Sequence, residues 1–160
     1  MGYSEKHVSE LQKLSKDLDV ILVTYYPMSF TITFNFKMKE PSVVRSDFNK
    51  ITSLYPNKKI YFAEAGYASS RDSGGSEEKQ SEFIKQIFLA WDEHNDQVKL
   101  INFLWLHDLS PETVDYLAKA YGLSNKSFTE YLRTLGLRTY EGQDKPAFIA
   151  LKQEAKARGW

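Results

Sequence analysis

The chain has 160 residues, 42% of them apolar and 14% aromatic, with 21 basic and 21 acidic side chains and no cysteine. That is enough apolar material for one domain with its own core, and too much for a disordered chain. Balanced charge removes any broad attraction to nucleic acid or anionic membrane, and the missing cysteines remove disulfides, thiolate metal sites and a cysteine nucleophile while leaving the redox compartment open.

Met1 to His7 carries no apolar run of the export-signal kind, and no stretch approaches the roughly 20 apolar residues that span a bilayer. Val8, Leu11, Leu14 and Leu18 recur at helical spacing behind Ser4, which predicts an amphipathic helix over 4–16. Asp19 to Tyr26 is rich in β-branched and aromatic residues and stops at Pro27, as a strand does. Phe30, Ile32, Phe34, Phe36 and Met38 then alternate with Thr, Thr, Asn and Lys, the period of a further strand within a long loop. Pro41 and Ser42 open a helix carrying Val44, Phe48, Ile51 and Leu54, which Pro56 and Asn57 end.

The next strand, Ile60 to Ala65, is apolar except for Glu64, which lies before Gly66-Tyr67 and a Ser/Gly-rich loop. Buried strands rarely keep an unpaired acid unless something uses it, so Glu64 is the residue to explain. Ser76 with Glu77 and Glu78 starts a helix whose Phe83, Ile84, Ile87, Phe88 and Trp91 form a wide apolar stripe. Val98 to Trp105 reads as the third core strand. Ser110-Pro111 is a cap with proline at the first helical position, Gly122 a stop, Ser127 to Glu130 a capping box, and Pro146 the start of a last helix toward Gly159.

Three nearly all-apolar strands alternating with helices predict an α/β fold, a parallel sheet covered on both faces. Working groups in such sheets lie at the carboxyl ends of the strands, here Tyr25 and Tyr26, Glu64 with Tyr67, and Trp105 with His107 and Asp108.

In their order these segments resemble the last part of a clan-A glycoside hydrolase, the (β/α)8 superfamily of retaining enzymes that includes cellulase-like and endo-galactanase-like families. Val23 to Pro27 is similar to strand six, Ile60 to Ser70 to strand seven, Gly75 to Gln80 running into Phe88 to Trp91 to its helix, and Ile101 to Asp108 to strand eight. Leu135 to Arg138, Gly142 and Lys145-Pro146 are similar to the tail. The resemblance implies a partial TIM barrel in which residues 1–160 form one domain, the C-terminal portion, starting at helix five and lacking strands one to five. It also implies that Glu64 is the nucleophile, that Tyr26 or Tyr25 hydrogen-bonds it, that Trp105 is a sugar-stacking platform, and that Tyr25, Tyr67, His107 and Asp108 face the substrate.

A retaining glycosidase needs a second carboxyl about 5–5.5 Å from the nucleophile, in this clan placed after an Asn, and the chain contains no Asn-Glu pair. The expected function is therefore the C-terminal part of a retaining glycoside hydrolase acting on β-linked polysaccharide or oligosaccharide, inactive alone. The alternative is a non-catalytic glycan-binding or subunit-interaction remnant. Carbohydrate is the expected partner, no cofactor or metal is implied, and unpaired edges of strands six and eight would invite self-association. If Trp105 faces the barrel interior, alternation places Ile101 and Phe103 inward with it. The alternating run from Phe30 to Met38 would either present aromatics to a glycan or pack on the neighbouring helix.

Overall fold

The computed structural model describes residues 5–30 and 35–160. In chain order the elements are α1 (Glu5–Leu14), β1 (Val20–Tyr25), β2 (Met28–Phe30), β3 (Phe36–Met38), α2 (Val43–Leu54), β4 (Lys59–Ala65), α3 (Glu77–Glu93), β5 (Val98–Phe103), α4 (Pro111–Tyr121), α5 (Lys126–Arg133) and α6 (Pro146–Ala157). The three core strands form a parallel sheet in the order β1-β4-β5. Among the described residues no helix is long and apolar enough to cross a membrane.

One face of the sheet carries the core. Phe62 of β4 stacks on Phe48 of α2 with ring centroids 4.5 Å apart, and Ile60, Phe62 and Val98 are buried with Val44, Phe83, Ile84 and Ile87. Helix α2 packs on α3, and α3 on α6. The other face is open, which corrects the expectation that both faces are covered. Leu22, Tyr61 and Leu100 stand in register across the three strands, with Leu22 69% and Leu100 42% exposed. The strands carry apolar residues on both faces although helices meet only one of them.

Local chemistry explains the element ends. Ser76 accepts from the Lys79 amide at 3.1 Å to open α3. Ser110 does the same for Thr113 ahead of Pro111, and Gly122 ends α4 with φ of 67°. The start of α5 differs from expectation. Asn125 is its cap, accepting from the Phe128 amide at 3.0 Å, which leaves the Ser127 hydroxyl to accept from the Phe36 amide at 2.7 Å. Glu130 pairs with Arg133 instead of closing a capping box.

The run from Phe30 to Met38 is also different. Instead of one rim strand, β2 and β3 pair antiparallel with Met28 opposite Met38 and Phe30 opposite Phe36. Met28, Phe36 and Met38 are buried, so the alternation anchors a hairpin in the core. Ile32 and Phe34 lie outside the described residues, as does Ser4.

Candidate active site

Strand alternation alone would send Glu64 into the helix layer, because Ile60 and Phe62 already face it. A bulge prevents that. Phe62 pairs with Val23, but the next partner of β1, Thr24, meets Glu64, so Ala63 is one residue too many. The register against β5 slips across the same place, from Phe62 to Ala65. A bulge bends its strand and re-aims the next side chain, and here it turns Glu64 toward the open cleft beyond the strand ends. The Ala63 carbonyl accepts instead from the Asn102 side-chain amide at 3.0 Å.

Tyr26 donates its phenolic proton to Glu64 Oε2 at 3.1 Å, and its ring stands edge-on to Tyr131 with centroids 5.8 Å apart. Burial, then the negative charge of Glu64, hold the Tyr26 phenol above its ordinary range. Gly66 makes this approach feasible. A Cβ there would lie 2.6 Å from Tyr26 Cε1 and 2.9 Å from the Leu104 carbonyl oxygen.

Trp105 follows β5 across a cis Leu104–Trp105 peptide, and its carbonyl accepts from the Leu137 amide at 3.0 Å. With Glu64, Tyr26 and Leu104 it lines a cleft of about 510 Å³. Phe103 instead lies on the helix side, 6.1 Å from the Phe88 ring. It does not turn inward with Trp105, because strand pairing ends at Phe103 and alternation no longer links the two.

The remaining residues expected at the substrate have protein partners. Tyr25 points to the opposite face from Tyr26, donates to Asp47 Oδ2 at 2.9 Å and sits edge-on to Phe48 and Phe62. It is buried but borders the same cleft from the α2 side. Tyr67 is 1% exposed and donates to the Lys39 carbonyl at 2.8 Å. Asp108 pairs with Lys145 at 2.7 Å, and burial raises its carboxyl above the ordinary value although the Lys145 ammonium pulls the other way. The Arg138 guanidinium donates to His107 Nε2 at 3.2 Å. Tyr67, His107 and Asp108 are not among the residues that line this cleft. A second, open depression at the other end of the sheet has Asp96 as its carboxylate and no Trp, Tyr or Phe.

The sequence reading missed one wall of the cleft. Tyr121 at the end of α4, Leu123, and Phe128, Tyr131 and Leu132 of α5 all line it. Their apolar spacing along α5 reads as an ordinary core stripe, and nothing in that pattern distinguishes a wall from a core.

In sequence, no protein-family model and no curated protein matches the chain. Solved structures do share its fold. A thermostable mutant of a xylanase from Cellvibrio japonicus is 17% identical, with a TM-score of 0.60 over 93% of this chain and 44% of that one. A β-glucuronidase from Bifidobacterium dentium, complexed with coumarin-3-O-glucuronide, is 16% identical with a TM-score of 0.58 over 88% of this chain and 21% of that one. An intracellular xylanase from Thermoanaerobacterium saccharolyticum, an E251A mutant with xylotetraose, is 17% identical with a TM-score of 0.51 over 91% of this chain and 38% of that one. The chain thus spans less than half the length of these glycoside hydrolases, and its fold is that of part of a TIM barrel.

Proposed function

We propose that the chain is the nucleophile-bearing part of a retaining glycoside hydrolase acting on β-linked glycans. The observation that carries this reading is the Tyr26–Glu64 hydrogen bond of 3.1 Å at the carboxyl ends of two adjacent parallel strands, where barrel enzymes keep their catalytic groups. Glu64 would attack the anomeric carbon to form a glycosyl ester, Tyr26 would hold the attacking carboxylate in place, and Trp105 would stack on a sugar face.

The second carboxyl must come from outside the described residues. Asp47 is the other carboxylate bordering the cleft, but it accepts from Tyr25, which lies across β1 from Tyr26. The chain by itself is therefore expected to bind β-linked glycans without turning them over, which is also what a binding remnant would do.

A leaving group that needs no proton separates the two readings. A 2-deoxy-2-fluoro glycoside of dinitrophenol can glycosylate a carboxylate without an acid: the new C–O bond forms to Glu64 as the phenolate departs with the bonding pair. Intact-mass and peptide mapping are expected to find one sugar on Glu64, and none in Glu64→Gln. Labelling elsewhere, or none in a chain that still binds glycans, would favour the binding remnant and sink the nucleophile.

A further inference from the structure

Three exposed tyrosines stand on the later half of the chain, Tyr116, Tyr121 and Tyr140. Of these only Tyr121 lines the cleft that holds Glu64 and Trp105. It is 66% exposed and keeps an aromatic neighbour. Its ring stands edge-on to Phe128 at 5.8 Å, and Phe128 lies 4.9 Å from Phe36, which is anchored through the Ser127 hydroxyl. Gly122 ends the helix directly after it with a left-handed turn. Tyr121 also adds to the upward shift of the Tyr26 and Tyr131 phenols, so it borders the pair around Glu64.

An aromatic ring that lines a cleft and keeps part of its surface open is suited to lie against the apolar face of a pyranose. Trp105 supplies such a ring from the loop after β5, and Tyr121 supplies another from the end of α4. The cleft, about 510 Å³, lies within the usual range of small-molecule sites, about 300–1,000 Å³.

We propose that Tyr121 is a second sugar-stacking platform, and that the α4–α5 wall selects chains of several linked pyranoses over single sugars. This rests on the glycan reading given above and extends it to substrate length. The wall reaches the cleft from a segment separate from both Glu64 and Trp105, so substrate length and nucleophile position are set by different parts of the chain.

The test is calorimetric titration of the 160-residue chain with β-1,4-linked gluco- and xylo-oligosaccharides of one to six rings, against Tyr121→Ala, Tyr121→Phe and Trp105→Ala. Affinity is expected to rise with length, and Tyr121→Ala to weaken the longer ligands about fivefold while leaving the shortest within twofold. Tyr121→Phe, which keeps the ring, is expected to behave as the parent. Binding that depends on Trp105 but not on length, or a Tyr121→Ala chain with unchanged affinity for long ligands, would overturn the second platform and leave the glycan reading standing. Loss in Tyr121→Phe equal to that in Tyr121→Ala would assign the contact to the hydroxyl and overturn stacking. No binding of any oligosaccharide by the parent would remove both readings. Thermal melts accompany each variant, and Tyr121 is exposed enough that its removal should leave them unchanged.

Discussion

Tyr26→Phe keeps the ring against Tyr131 and removes only the proton given to Glu64. Hydrogen bonds to charged groups contribute about 1.5–3 kcal/mol, so labelling of Glu64 by the fluoro-glycoside is expected to slow roughly ten- to a hundredfold with little change in melting temperature. An unchanged rate would mean that Tyr26 does not position the carboxylate. The tyrosines also set an alkaline limit. Burial is the leading cause that raises the phenols of Tyr25, Tyr26, Tyr67 and Tyr131 above the ordinary value of 10.0. Above pH 10.0 the unfolded chain releases these protons while the folded chain retains them, so stability falls as pH rises further. In an absorbance titration followed alongside circular dichroism, these four phenols are expected to ionise only as the helical signal collapses. Full ionisation of all ten tyrosines with the helices intact would show that the four are open to solvent.

The bulge in β4 depends on a partner that no sequence pattern marks. Asn102 sits on an exposed strand face, yet its amide holds the Ala63 carbonyl that the ladder leaves over. Asn102→Ala is expected to cost about 1 kcal/mol of stability and to slow Glu64 labelling as much as Tyr26→Phe does; equal stability loss with full labelling would separate the amide from the aim of Glu64. A second support lies under the tail. The Lys145 ammonium, 3% exposed, reaches Asp108 at 2.7 Å and the Gly136 carbonyl at 3.0 Å. Lys145→Met leaves the partly buried Asp108 carboxyl without its cation, and denaturant melts are expected to show a loss of about 1–3 kcal/mol, below the range for a fully buried pair because solvent reaches Asp108. At this scale the order of helices and strands was legible from apolar spacing and capping residues such as Ser76, Ser110 and Gly122. The acid at the end of β4 was legible too, since it breaks an apolar run. Which of Tyr25 and Tyr26 meets Glu64 was not, because adjacent strand residues face opposite ways and composition does not reveal the phase. The bulge that decides where Glu64 points adds a residue that looks like any other alanine. The aromatics of α4 and α5 carry helical spacing whether they form a core or a cleft wall, so only the three-dimensional arrangement separates the two uses.

At the scale of the molecule, the described residues cover one face of the sheet and leave the other open. Helices α2, α3 and α6 cover one face, while Leu22, Tyr61 and Leu100 cross the other in register. Among the described residues, strands β1 and β5 are its edges, each paired on one side only. In the longer glycoside hydrolases that share this fold, the matched region spans 21–44% of the chain, so most of each protein lies outside it. An unpaired parallel edge beside an exposed apolar row is a template for another strand. The 160-residue chain alone is therefore expected to self-associate, its weight-average mass in sedimentation velocity rising as concentration increases. Leu22→Lys combined with Leu100→Lys places two charges on the row without touching the helix-side core, since both residues are exposed. That variant should sediment at the monomer mass with an unchanged melting temperature. If the parent stays monomeric at every concentration, the open face is tolerated without a cover. If instead the double variant associates as strongly as the parent, the contact runs through the strand edges or another surface, and the apolar row is not what drives it.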